Sequence, residues 1–138
     1  MTGTFEIREH TADVAVAARG DTIDDVFGAM ADGLAATMCD EWPADGDRFK
    51  VHAEAANKDA LLFDYLDELI YQRDVLDVLP VDNAVTVACD DGRWQVEGHA
   101  RGVPTSLISA REIKAVTYSE MILEERGDHW YAYVVFDV

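Results

Sequence analysis

Polar and ionisable side chains that could do chemistry lie close together near the start of the chain. His10, Thr11 and Asp13 place an imidazole, a hydroxyl and a carboxylate just before an alternating apolar run that begins at Val14. Such alternation is typical of a β-strand. An imidazole in this setting suggests a general base, although His10 could equally be a loop histidine that donates to a backbone carbonyl. Asp13 is either an Asx-type turn residue or a ligand held at the entrance of the strand.

The other end of the chain offers a second set of oxygen atoms. A strand-like run stops at Asp137, and Val138 follows with a main-chain carboxylate. If the strand that begins after Asp13 lies beside the last strand, these groups form an all-oxygen cluster suited to a hard cation. Neither spacing nor periodicity establishes that proximity, so the cation site is a hypothesis at this point.

Three more side chains are candidates for a functional role. Asp64 and Asp67 are three residues apart and therefore share one face of a predicted helix. That face is either a solvated acidic surface or a second acidic lip for a cation or a basic partner. Lys114 is one of few lysines in the sequence. A retained lysine suggests an acidic neighbour or a phosphate, and the alternative is an ordinary exposed lysine on a strand.

Charge and motifs exclude several classes of function. The formal net charge is −17, and the acidic residues are scattered along the whole chain. This pattern favours a protein adapted to high salt over an acidic mimic of nucleic acid, and unaided binding to a phosphate backbone is disfavoured. There is no G-x-S-x-G elbow, Walker A loop or H-E-x-x-H pair. Cys39 and Cys89 have no metal-like spacing, and we expect both to be buried as small apolar residues.

The elements that must position these residues follow from periodicity. Thr22 and Asn57 are natural N-caps for two amphipathic helices, one reaching Met38 and one ending near Asp77. We expect the second helix to bury the broader apolar stripe. Alternating segments on either side of Asp91-Gly92, and of Gly127-Asp128, predict two hairpins, the second with its first strand starting at Ile113.

The expected fold class is α+β: a mostly antiparallel β-sheet with two amphipathic helices in a single domain over residues 1–138. No apolar run approaches the roughly 20 residues that a membrane-spanning helix needs. The sequence also lacks a signal-like start. We therefore expect a cytoplasmic protein with no membrane partner.

Four segments in order resemble the archease family. They cover most of the chain: His10-Thr11-Ala12-Asp13-Val14, the run from Leu61 to Tyr71, Ile113 to Tyr118, and Val134 to Val138. The acidity is similar to that of haloarchaeal proteins. Within the family pattern, Ser119 and Glu120 stand where a histidine is usual, and the loop from Gly102 to Ala110 is shorter.

The resemblance implies a non-catalytic activator of the tRNA-splicing RNA ligase. Such a protein promotes guanylylation of the ligase and multiple turnover, and tRNA and GTP are linked to it only through the ligase. The implied metal ligands are Asp13, Asp137 and the carboxylate of Val138. The expected cation is calcium, with manganese and magnesium as alternatives.

The family's motif lysine falls on Lys114, and we assign His10, Asp64 and Asp67 with it to activation or partner contact.

Two other classes of function compete with the activator role. The first is a metal-dependent hydrolase or nuclease that uses the same carboxylates, although a nuclease would need a basic substrate track. The second is a chaperone-like or structural interaction domain.

Overall fold

The computed structural model describes residues 3–9 and 13–138. In this part of the chain the α+β prediction is confirmed, and seven strands and two α-helices follow one another in sequence. The elements are β1 (Gly3–Glu9), β2 (Asp13–Gly20), α1 (Ile23–Met38), β3 (Asp47–Ala55), α2 (Lys58–Leu76), β4 (Val78–Asp90), β5 (Arg93–Pro104), a short 3-10 turn (Thr105–Leu107), β6 (Ala115–Arg126) and β7 (His129–Asp137).

The strands form two antiparallel sheets rather than the one sheet expected. The first has the order β1-β2-β7-β6, and the second has the order β3-β5-β4. Local hairpins account for β4-β5 and β6-β7, but the pairing of β2 with β7 joins segments from opposite ends of the chain. This pairing makes β2 and β7 the two central strands of the first sheet.

Helix α1 is the more deeply buried helix, contrary to the expectation for α2. It contacts both β2 of the first sheet and β4 of the second. The small residues of α1 allow this close packing: a Cβ on Gly33 would lie 2.6 Å from a methyl carbon of Val16. Helix α2 buries one face, which includes Leu62, Leu66 and Leu69, and leaves the other face to solvent.

The predicted caps define the ends of both helices. Thr22 accepts a hydrogen bond from the backbone N–H of Asp25 at 3.1 Å, and Asn57 accepts one from Ala60 at 2.8 Å. Helix α2 ends at Leu76, and the φ of 54° at its C-cap, Asp77, places that residue in the left-handed region. Satisfied N–H groups at these ends stabilise each helix where the sequence predicts that it begins.

Two local expectations differ from the structure. Strand β6 begins at Ala115 rather than at Ile113, and a bulge interrupts its pairing with β7 between Thr117 and Ile122. Cys39 is buried as expected, whereas Cys89 is exposed because it lies near the solvent-facing end of the β4-β5 hairpin.

Within the described ranges, no helix has both the length and the apolar character to cross a membrane.

Candidate functional site

The two predicted acidic residues meet at one end of the first sheet. Asp13 is the first residue of β2 and lies directly opposite Asp137, the last residue of β7. Val14 and Phe136, one step further into the same strands, are opposite one another and buried in the core. Since side chains alternate across a strand, both carboxylates point away from the core, with Cβ atoms about 4.5–5.5 Å apart as in cross-strand pairs.

The Asp13 carboxylate has an unsatisfied acceptor. Its Oδ1 atom is buried and has no hydrogen-bond partner in the described structure. A buried oxygen without a partner costs about 1–3 kcal/mol, and like charges directly opposite one another on a sheet add to that cost. A cation shared with Asp137 would remove both penalties, so these residues fit an oxygen-ligated metal ion.

Lys114 lies beside this pair, one residue before β6 begins. Its backbone N–H donates to the carbonyl oxygen of Asp137 at 2.8 Å, while its side chain is exposed. The neighbouring Ile113 is completely buried. The backbone at Lys114 is therefore held against the end of β7, and its side chain is exposed.

Arg111 anchors the segment that leads to Lys114, a role that sequence analysis missed. Its Nε donates to the carbonyl oxygen of Thr37 at 2.9 Å, and its backbone N–H donates to that of Met38 at 2.7 Å. Helix α1 has no basic residue in its last turn, so Arg111 supplies the positive charge that its C-terminus favours. No local signal could have shown this contact, because the partners are far apart in sequence.

Three other residues are predicted to take part in activation or partner contact. His10 lies outside the described residues. Asp64 and Asp67 are exposed on α2, whereas Asp13 and Asp137 are at the ends of β2 and β7. Partial burial, and then the charge of Asp67, raise the pKa of the Asp64 carboxyl above its ordinary value.

The strand-end pair cannot saturate a metal ion by itself. Across residues 3–9 and 13–138, no group of three or more histidine, cysteine, aspartate or glutamate residues is arranged to hold one. Calcium takes about six to eight oxygen ligands. Two carboxylates therefore leave most positions to main-chain oxygens such as those of Val138, to water or to a partner molecule.

The protein is a small α+β domain in which two helices pack with two antiparallel sheets. An acidic pair with only oxygen ligands, at the end of one sheet, is a candidate cation site. The model of the archease protein family (MTH1598/TM1083) matches residues 5–138. The chain belongs to the archease family.

Curated and solved relatives are similar over nearly their full length. The chain is 30% identical to protein archease of Pyrococcus furiosus, over 97% of this chain and 98% of that one. The solution structure of Methanobacterium thermoautotrophicum protein 1598 superposes with a TM-score of 0.78 at 26% identity, covering 97% and 98% of the two chains. A crystal structure from Thermotoga maritima, described as an archease and possible chaperone, has a TM-score of 0.63 at 21% identity over 94% of both chains and shows the shared fold.

Proposed function

We propose that this protein is a non-catalytic activator of the tRNA-splicing RNA ligase, which promotes guanylylation of the ligase and multiple turnover. In this proposal Asp13, Asp137 and the carboxylate of Val138 hold a divalent cation, calcium in the first place, with manganese or magnesium as alternatives. Membership of the archease family supports the activator role. The observation that supports the cation site is the register that places Asp13 opposite Asp137 while one Asp13 oxygen is buried without a partner in the described structure.

Each residue of the site has a distinct part in this function. Asp13 is fixed by the pairing of β2 with β7 and supplies the buried oxygen, whereas Asp137 is exposed and can face a partner. The exposed ammonium of Lys114 can contact an anionic group, such as a phosphate in the ligase pocket. A bound divalent cation supplies positive charge and Lewis acidity beside a nucleotide phosphate.

The open coordination of the pair leaves positions for ligands from a partner. A structural metal site is normally closed by ligands from its own chain, and two carboxylates fall short of that number. Ligands from the ligase or its nucleotide would complete the shell only when the two proteins meet. The cation would then bind most tightly in the complex in which it is needed.

The direct test is ligation by the cognate ligase under multiple-turnover conditions, with and without this protein. We expect Asp13→Asn and Asp137→Asn each to reduce the stimulation by at least about tenfold, since loss of groups that hold or support a metal has effects of this size. We expect Lys114→Met to reduce the stimulation as well, because it removes the ammonium that contacts an anionic group. Asp90→Asn is the matched control, because it makes the same change of charge on an exposed residue at the far end of β4.

Cation binding is measured separately by calorimetry and by thermal unfolding with and without calcium. We expect cation-dependent stabilisation in the parent protein and in Asp90→Asn, and a much smaller effect in the Asp13 and Asp137 variants. Full stimulation by these two variants would refute the site. Degradation of RNA by the protein alone would instead support the hydrolase or nuclease alternative, and no stimulation by the parent protein would refute the activator role.

A further inference from the structure

We call Asp13, Asp137 and Val138, with the neighbouring Lys114, the strand-end site. Helix α2 carries a surface that this site does not use. We call it the α2 outer face, and it consists of the exposed residues Asp64, Asp67, Tyr71, Asp74 and Val75. Steps of three and four residues place them in one stripe along the helix, opposite the buried leucines. The stripe is about 16 Å long, at a rise of about 1.5 Å per residue.

The half of this face that is nearer the C-terminal end of α2 exposes apolar side chains, although the protein is strongly acidic. Tyr71 is 58% exposed and Val75 is 56% exposed, and the two lie one turn apart. At the other end, Tyr118 of β6 is 55% exposed and stacks on Phe63 with ring centroids 4.0 Å apart. Exposed aromatic residues are enriched at interfaces with other proteins.

The charge of the face is uncompensated where it adjoins these apolar groups. Asp59 and Asp74 pair with neighbouring basic residues, Lys58 and Arg73. Asp64 and Asp67, in contrast, have no ion pair with any basic residue that the structure describes. A basic partner would relieve the repulsion between the two carboxylates, so electrostatic complementarity specifies a cationic occupant.

The α2 outer face and the strand-end site are joined by β6. Ala115 lies opposite Asp137, and Tyr118, three residues further along the chain, stacks against α2. Three residues of extended chain span about 10 Å. Lys58 of α2 also donates to the carbonyl oxygen of Leu123 in β6 at 2.9 Å, which holds the helix against this strand. One partner can therefore contact both surfaces at once.

We propose that the α2 outer face docks a basic, amphipathic segment of the ligase. Lysine or arginine side chains of that segment face Asp64 and Asp67, while its apolar side chains pack on Tyr71 and Val75. This inference rests on the proposed function for the identity of the partner, and it separates two roles. The α2 outer face supplies affinity for the ligase, and the strand-end site acts on the chemistry once the partner is bound.

The test measures direct binding and ligation side by side. Binding of the fluorescently labelled protein to the ligase is followed by anisotropy, without RNA or GTP, and multiple-turnover ligation is titrated with the same variants. We expect Asp64→Asn/Asp67→Asn and Tyr71→Ser each to raise the dissociation constant by about tenfold or more. The half-maximal concentration for stimulation should rise in parallel, while stimulation at saturating protein stays unchanged.

Asp90→Asn/Asp91→Asn is the matched control for the loss of two negative charges. Both residues are exposed at the β4-β5 turn, and asparagine tolerates the φ of 54° at position 91. All the substituted side chains are exposed, so thermal unfolding should show a fold as stable as that of the parent protein.

The outcomes separate the docking face from the activator role. Unchanged binding in the α2 variants, or an equal loss of binding in the control, would overturn the docking inference even if the parent protein stimulates ligation. Absence of binding by the parent protein would overturn the inference as well. Binding that depends on the α2 outer face without any stimulation would uphold the docking surface and refute the proposed function.

Discussion

The paired carboxylates of Asp13 and Asp137 are an electrostatically costly arrangement in the metal-free protein. Their strands place them directly opposite one another, and one Asp13 oxygen is buried without a partner. Natural proteins keep such arrangements where function requires them. The imidazole of His52 on the second sheet differs from this pair, because each of its two nitrogen atoms has a carboxylate partner.

The His52 ring bridges two strands of the second sheet. Its Nε2 lies 3.1 Å from a carboxylate oxygen of Glu54, and its Nδ1 lies 2.7 Å from one of Glu97. Hydrogen bonding to Glu54, and then to Glu97, raises the pKa of His52 above its ordinary value. The folded state therefore binds the proton more tightly than the unfolded chain does.

We expect a pH-dependent contribution of His52 to stability. Because the pKa is raised on folding, the contribution is fully present below the unfolded pKa of about 6.5 and is lost as the pH rises through the folded value. The free energy of unfolding of the parent protein should exceed that of His52→Gln at about pH 6, and the difference should be smaller at about pH 9. Denaturant unfolding at the two values tests this, and a difference independent of pH would contradict it.

At the scale of the elements, strand β7 determines whether the site can form. Val134 and Phe136 are completely buried and fix the strand between β2 and β6. Alternation then turns Asp137 to the opposite side, next to Asp13. The same strand leads directly to Val138, whose main-chain carboxylate is the third proposed ligand.

We expect an extension beyond Val138 to impair the site without unfolding the domain. A short flexible tag converts the main-chain carboxylate into a neutral amide and crowds the open coordination positions. Cation affinity, measured by calorimetry, and stimulation of the ligase should both fall, whereas the melting temperature without metal should change little.

The same tag placed before Met1 is the control for the C-terminal extension, and we expect it to leave both properties intact. Equal cation affinity and equal stimulation for the two tagged forms would exclude the Val138 carboxylate as a ligand. Asp13 and Asp137 would then remain as the proposed protein ligands, with further positions left to water or the partner.

The charge of the whole molecule affects its stability beyond any single contact. With 28 acidic and 11 basic residues, the surface carries a large excess of negative charge. Mutual repulsion acts over about 30 Å at 0.01 M salt but only about 3 Å at 1 M. The compact state is therefore destabilised most at low ionic strength, where repulsion is strongest.

We expect the melting temperature to fall steadily as potassium chloride is reduced from molar to millimolar concentration. An uncharged osmolyte of equal osmolality is the control, because it alters solvation without screening charge. A melting temperature that does not change with salt, or that the osmolyte preserves equally well, would contradict adaptation of this surface to high salt.

Local signals in the sequence determined the elements and their class. The caps Thr22 and Asn57, the turn at Asp91-Gly92 and the alternation around each hairpin act between residues a few positions apart, and all of them correspond to observed structure. The resemblance also named Asp13 and Asp137 as a candidate pair. Periodicity cannot rank pairings between distant strands, because each apolar strand is compatible with several neighbours.

Only the tertiary structure decided which distant segments meet. It divided the strands into two sheets, paired β2 with β7 in the register that opposes Asp13 and Asp137, and anchored Arg111 to the end of α1. It also made α1 rather than α2 the more deeply buried helix, whereas the apolar pattern predicted the broader stripe on α2. These features depend on packing of the whole core, since the burial of one face is settled by what lies against it rather than by its own sequence.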